Sequence, residues 1–388
     1  MCKIVYITSH HWDTNRQGGF HKFAEYSADM GMETIFFSFP RPYYGYFMNR
    51  EQLNPHLLKK LNKGEVYKTD SGNNILNITF STFRIPDGIA KFFPDFIVNW
   101  LLIHSFKRID KFLRHVFDNT DYFVFESCEG IAFLDKIKNT YPNAKIIYRP
   151  SDPMIFASVP KRVKKLEEKI LKTADMSFIV NKEGLEAYKR NIPNFDLSVK
   201  YQLLSNGIDI DSYLKKYNKP VSLQKENTLL YVGAWDIEWN LIFNAAMKTP
   251  NFNYIIVCPN YPSSKILLEI KKFSNIDYIP GIKPSEVPAW ITNSDVIIVP
   301  YKTDFYKDRP LGITAKYYQA MAARKPIVAY SDTPKLKEVG ISVTYSYEDF
   351  IKSIKIAINK KNCTYNFNLT NRTWQNITKK FLEELKKL

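Results

Sequence analysis

Cysteine is scarce: Cys2, Cys128, Cys258 and Cys363 are the four in 388 residues. They make no C-x-x-C pair and no zinc-type spacing. This argues against a structural metal or a disulfide framework and fits a reducing compartment. No apolar run reaches the ~18 residues that a spanning helix needs. The nearest approach, 92–106, is shorter and carries Asp95 and Asn99. The opening ten residues read as a strand, not as a basic stretch followed by an apolar one, so no signal peptide is expected. A G-x-G-x-x-G fingerprint is missing, which weighs against nicotinamide chemistry. There is no internal repeat and no low-complexity tract.

What is present is basic and aromatic: the net charge is +16, and 15% of residues are Phe, Trp or Tyr. Such a balance attracts nucleic acid, anionic lipid or a phosphorylated substrate. No nucleic-acid motif accompanies it, so nucleic acid is not expected as a partner, and a nucleic-acid-binding protein is the remote alternative. The aromatic stretch 92–106, followed by Lys107, Arg108, Lys111 and Arg114, has the composition of an interfacial membrane anchor; a core helix would read alike. A second basic set, Lys161, Arg162, Lys164, Lys165, Lys169 and Lys172, reads as a solvated helix face.

The length allows two domains. Near-continuous apolar strands are expected at 3–8, 33–39, 75–80, 122–126, 145–149, 176–180 and 201–205. A second series follows at 228–233, 253–257, 276–279, 294–300, 326–329 and 343–345. Helical segments fall between many of them, notably 19–30, 94–117, 160–173, 182–191, 239–247, 264–273, 285–292 and 317–323. Alternation of this kind predicts doubly wound α/β sheets. The polar, Lys-rich 209–226 reads as a linker. The last helix, roughly 370–388, carries Trp374, Ile377, Phe381 and Leu385 at helical spacing.

The densest chemistry lies in 308–329, DRPLGITAKYYQAMAARKPIVA. Lys316 and Gln319 stand one turn apart at the head of a short helix and share a face. A helix N-terminus favours phosphate. Lys316 adds a point charge and Gln319 can bond a hydroxyl pair, so together they suit a nucleoside diphosphate and its ribose. Lys-x-x-Gln, then Ala-Met-Ala, a basic residue and Pro-Ile-Val-Ala, resembles the donor-site signature of GT-B glycosyltransferases, and most of all the GumK-type (xanthan glucuronosyltransferase) family.

The resemblance implies an α/β, GT-B architecture: two Rossmann-like domains with a cleft between them and a C-terminal crossover helix. Its divisions would be an acceptor-binding domain over 1–208, the linker 209–226, a nucleotide-sugar-binding domain over 227–369 and a helix over 370–388 packing back on the first domain. It makes Lys316 the ligand of the donor diphosphate and Gln319 the ribose contact. Gly233 would let backbone amides approach phosphate. Ile282, just after Gly281, takes the position that reads the nucleobase. Tyr301 ends a strand beside the donor, and Gly19 lies in the loop that faces donor phosphate and acceptor.

Inverting transfer needs a base for the acceptor hydroxyl. Asp152 matches, in position along the chain, the aspartate that serves as base in the GumK-type family. Glu126 and Glu129 are its rivals, and an aspartate there could also cap a helix. His10, His11 and Trp12 at the end of the first strand, with His21 in the first helical turn, are acceptor or accessory candidates; His11 or His21 could act as base. The Glu-x7-Glu pattern of retaining families is absent, which favours inversion. Asp209-Ile210-Asp211 follows a turn and is not read as a metal site.

The expected activity is inverting transfer of a sugar, glucuronate or glucose, from a UDP-sugar, with no metal and no cofactor. The acceptor would be polyprenyl-diphosphate-linked or polysaccharide, in surface glycan synthesis. The expected location is cytoplasmic, peripheral on the anionic inner face of the membrane. A retaining enzyme of the same fold and a UDP-sugar epimerase are the alternatives.

Overall fold

The computed structural model describes residues 2–13, 18–44, 64–106, 109–155, 159–234, 237–301, 312–331, 333 and 335–388. The chain divides into two compact units: Met1–Ser205 with Trp374–Leu388, and Asn206–Thr373.

The first unit carries a sheet of β1 (Lys3–Thr8), β2 (Glu33–Pro42), β3 (Glu65–Lys68), β4 (Asn74–Thr82), β5 (Tyr122–Phe125), β6 (Lys145–Tyr148), β7 (Met176–Ile179) and β8 (Tyr201–Leu203). The strand order is β3-β4-β2-β1-β5-β6-β7-β8. Every pairing is parallel except β3 on β4. Side chains alternate between two cores. Val5, Ile7 and Phe123 enter one, while Ile4, Tyr6 and Val124 enter the other. Burial on both faces is why these strands read as unbroken apolar runs. Sequence reading missed β3, whose Glu-Val-Tyr-Lys is short, charged and at the sheet's edge, where such residues discourage further pairing.

Around this sheet lie α1 (Gly19–Asp29), α2 (Asp95–Ile103), α3 (Lys161–Thr173) and α4 (Lys182–Asn191). The helix expected over 94–117 is two helices. α2 stops at His104, whose backbone is extended, and a separate helix spans Ile109–Val116. The His104 carbonyl accepts from the Phe83 N–H at 3.0 Å instead of continuing the helix.

The second unit carries β9 (Thr228–Val232), β10 (Asn253–Val257), β11 (Ile276–Ile279), β12 (Val296–Pro300), β13 (Ile327–Tyr330) and β14 (Ser342–Thr344), in the order β11-β10-β9-β12-β13-β14, all parallel. Its motif helix is α5 (Ala315–Ala322). The stretch 209–226 is not a free linker. It holds a helix, Ile210–Leu214, and Tyr213 and Leu223 are buried in the second unit's core. Two apolar anchors outweigh the surrounding lysines.

The last helix, α6 (Trp374–Leu385), belongs to the first unit. Phe381 packs against Phe23 at 5.1 Å and Phe178 at 5.0 Å between ring centroids.

Strand order reverses between β1 and β5 in the first sheet and between β9 and β12 in the second. Open α/β sheets bind ligands outside the carboxyl ends of their strands at such switch points.

Candidate functional site

At the second unit's switch point, the carboxyl ends of β9 and β12 deliver Gly233 and Tyr301. Lys316, the second residue of α5, reaches over them. Its Nζ lies 4.6 Å from the Tyr231 ring centroid and 4.3 Å from that of Tyr301. It also donates to Tyr231 Oη at 3.3 Å. Burial pushes its pKa down to about 7, with Cys258 opposing. Two aromatic faces hold this cation, and among the described residues it makes no salt bridge to a carboxylate.

Gly233 has a different role from the one expected. Its N–H is taken by the Val257 carbonyl at 3.1 Å, so that amide is not available to a phosphate. A Cβ there would lie 2.5 Å from Lys316 Nζ and 3.0 Å from Tyr231 Oη. The missing side chain is the space the ammonium occupies. Gln319 stands one turn along α5 from Lys316 and is partly exposed. Thr314, the N-cap of α5, was not singled out from the sequence. Its Oγ1 is buried without a hydrogen-bond partner among the described residues. Ile282 follows Gly281, whose φ of +108° suits glycine, and packs on the core's edge. Trp235, Asp236 and the motif's opening residues Asp308–Leu311 lie outside the described residues.

In the first unit, β1, β5 and β6 end side by side. Glu126, just past β5, is buried and accepts from the Thr8 hydroxyl and from Ser151 Oγ, the latter at 2.6 Å. His10 Nε2 lies 3.9 Å from the same carboxylate. Arg149 is buried beneath, its guanidinium 4.8 Å from the Phe23 ring centroid. Burial pushes its pKa down to about 10 against the pull of Glu126 and Asp152.

Asp152 is exposed on a segment that is tied on both sides. The Ser151 and Asp152 amides donate to Ser127 Oγ at 3.0 and 3.3 Å, and the Met154 amide donates to Glu167 Oε2 at 2.7 Å. It does not cap a helix, since α3 begins at Lys161 with Pro160 as its cap. The rivals differ. Glu126 already accepts at both oxygens. Glu129 is gripped by Arg84 and Arg162. Burial would raise its pKa, but the two guanidiniums outweigh burial and hold the carboxyl below its usual range. Arg162, expected on a solvated face, is thus a buried ion-pair partner.

The histidines separate by their bonds. His21 accepts the Gly18 N–H at Nδ1, 3.2 Å, and its Nε2 donates to the His11 carbonyl at 2.9 Å. It caps α1 with a ring whose nitrogens are both used. His11 is buried, and its Nδ1 accepts from the Asp13 amide at 3.1 Å. Burial pushes both rings to a pKa of about 4. A neutral ring that accepts at Nδ1 carries its proton on Nε2 and has no spare lone pair. Neither therefore fits the role of base. Trp12 packs on His21 and Phe36 at 5.5 and 5.2 Å, and Gly19 opens α1. His10 is the partly exposed member of the group.

Residues 6–180 match the family model of the glucuronosyltransferase GumK N-terminal domain. The UDP-glucuronate:glycolipid 2-beta-glucuronosyltransferase of Xanthomonas campestris pv. campestris is 24% identical over 226 residues, 55% of this chain and 53% of that protein. The putative teichuronic acid biosynthesis glycosyltransferase TuaH of Bacillus subtilis is 22% identical over 227 residues, 54% of this chain and 56% of that protein. The first unit thus carries a domain that matches the GumK N-terminal family, and the chain has the GT-B fold. It spans about half the length of the curated relatives it matches. Its fold is shared with a trehalose-6-phosphate enzyme of E. coli bound with UDP-2-fluoro glucose, at TM-score 0.66 and 12% identity over 100% of this chain and 99% of that one. Anabaena HepE in complex with UDP-glucose aligns at TM-score 0.63 and 13% identity over 100% of both. The family match covers the first unit's switch point and stops before the Lys316 site. Among the described residues no group of three or more His, Cys, Asp or Glu could hold a metal.

Proposed function

We propose that this GumK-type protein transfers a sugar from a UDP-sugar, glucuronate or glucose, to a lipid-linked or polysaccharide acceptor with inversion and without a metal. The observation that carries the reading is the Lys316 ammonium, held over Gly233 on the faces of Tyr231 and Tyr301 and unpaired with any described carboxylate. With the N-terminus of α5 and the unpartnered Thr314 hydroxyl, it forms a set of donors for a diphosphate. Gln319 on the same helix takes the ribose hydroxyls, and Ile282 and Tyr301 border the nucleoside.

Asp152 takes the proton of the acceptor hydroxyl. The hydroxyl oxygen bonds to C1 of the sugar as the bond from C1 to the diphosphate oxygen breaks. The electron pair leaves with UDP, where Lys316 stabilises the developing charge. The relative from Xanthomonas is named for a β-glucuronosyl product on a glycolipid, which supports inversion and a lipid-linked acceptor. The fold itself hosts retention as well, so stereochemistry has to be measured.

Peripheral membrane binding is part of the proposal. Among the described residues no helix is long and apolar enough to cross a membrane. Yet Phe92, Phe96, Trp100 and Phe106 are 76, 72, 54 and 82% exposed around α2, while Val98 and Leu102 of the same helix are buried. Neighbouring Lys91 adds charge that suits an anionic surface.

The reading is tested by transfer from UDP-glucuronate and UDP-glucose to extracted glycolipid in EDTA, with the product's anomeric configuration read by NMR. A β-linked product, and an Asp152→Asn variant slowed by about 10²-fold or more with UDP affinity kept, are expected. An α-linked product indicates retention. Donor conversion without acceptor and without UDP release indicates an epimerase.

A further inference from the structure

We infer that Tyr261 is a further donor-binding residue of the second unit: its ring is the platform on which the nucleobase of the UDP-sugar stacks. The inference rests on the reading of Lys316 as the ligand of the donor diphosphate.

Tyr261 lies in the loop between β10 and the helix Ser264–Ile270, at the carboxyl end of the sheet. It is 64% exposed, yet the loop that carries it is braced from both neighbouring strands. From the β11 side, Tyr278 Oη donates to the Cys258 carbonyl at 2.7 Å and lies 3.3 Å from the Asn260 carbonyl. From the β9 side, the Ala234 carbonyl accepts from Asn260 Nδ2 at 2.5 Å. The Tyr261 ring meets the Tyr278 ring edge-on, with 6.2 Å between centroids. A single exposed aromatic is ordinary on a protein surface. Here the backbone beside it is already fixed, so little order is left to impose when a ligand covers the ring.

The sheet supplies the spacing. Lys316 reaches over the ends of β9 and β12, Tyr261 follows β10, and Ile282 follows β11, the strand beyond. Neighbouring strands lie about 4.8 Å apart, so β9 to β11 is about 10 Å. An extended nucleotide covers such a span from diphosphate to base. Contacts run continuously along it. Gly233, against the ammonium, precedes Ala234; Ala234 holds Asn260; Asn260 precedes Tyr261. A Cβ on Gly281 would lie 3.4 Å from Pro259 Cβ, so the loops after β10 and β11 touch. Among the described residues neither the N–H nor the carbonyl of Ile282 is hydrogen-bonded. That donor and acceptor fit the polar edge of a base, and the Tyr261 ring fits its flat face.

Calorimetric titration of UDP and of inorganic pyrophosphate into the full chain tests this, with wild type, Tyr261→Ala, Tyr261→Phe and Lys316→Ala. Loss of a stacked aromatic should weaken UDP binding by about tenfold or more in Tyr261→Ala. Tyr261→Phe keeps the ring and should restore most of that loss. Pyrophosphate has no base, so its affinity should be the same in wild type and both Tyr261 variants, and lower in Lys316→Ala. The Tyr261 side chain is exposed enough to be removed without unfolding the unit, and an unchanged melting temperature checks that. Wild-type UDP affinity in Tyr261→Ala, an equal loss in Tyr261→Phe, or a pyrophosphate affinity that falls together with that of UDP overturns the inference. Unaltered binding of both ligands in Lys316→Ala, or no UDP binding in the wild type, overturns the donor-site reading on which it rests.

Discussion

Lys316 is unlike a surface lysine because its charge is adjustable near neutrality. Burial holds its pKa to about 7, so the empty site is only partly charged at neutral pH. A diphosphate alongside favours the ammonium and raises that pKa. UDP affinity is therefore predicted to be full below about pH 7 and to fall as pH rises through that value, by up to about tenfold per unit until the bound-state pKa is reached. Binding should take up a proton at about pH 8, and calorimetry in two buffers of different ionisation enthalpy reads it directly. Identical heats in the two buffers would contradict the prediction. Gly233→Ala is a second check: the added methyl falls on the ammonium. UDP affinity should drop about tenfold or more while the melting temperature barely moves, because the flexible end of Lys316 can shift aside. Unaltered affinity would mean that the lysine does not bind UDP from this position. That Lys316 and Gln319 share one turn of a helix was legible from their spacing. Ser127, Glu167 and the Arg84–Glu129–Arg162 grip were not. Arg84 and Arg162 stand 45 and 33 residues from Glu129, and only the fold brings them together.

Two helices carry predictions at the next scale. α6 is the last segment of the chain, yet it completes the core of the first unit. Phe381→Ala removes a fully buried ring from between Phe23 and Phe178 and should cost about 3–5 kcal/mol in unfolding of that unit. Chemical denaturation measures it, and a loss below about 1 kcal/mol would place the helix outside the cooperative core. The helical spacing of Trp374, Ile377, Phe381 and Leu385 showed an apolar face in the sequence; the unit it covers was implied by the family resemblance and not by the spacing. α2 was ambiguous for the opposite reason. Its residues are apolar nearly all round, so periodicity could not separate core from surface. The structure buries Val98 and Leu102 and exposes Phe96 and Trp100. Replacing Phe96 and Trp100 with Ser is predicted to weaken co-sedimentation with anionic vesicles severalfold while the fold is kept. Binding equal to wild type would remove α2 from the membrane reading.

At the scale of the molecule, both sheets reverse their strand order next to the residues that matter. β1 and β5 bring together Thr8, His10 and Glu126; β9 and β12 bring together Gly233 and Tyr301. The parallel strands were readable because burial on both faces writes them as apolar runs. Strand order was not readable, since nothing in one strand names its neighbour. The net charge of +16 acts on the whole chain and makes any anionic partner sensitive to salt. It cannot by itself distinguish a nucleotide-sugar site from a charged surface. The measurement that does so is calorimetric titration of UDP into the full chain in EDTA, wild type beside Lys316→Ala. Micromolar binding that survives EDTA and weakens by about tenfold or more in the variant is the predicted result. Absence of binding, dependence on a metal, or equal affinity in the variant would contradict the account.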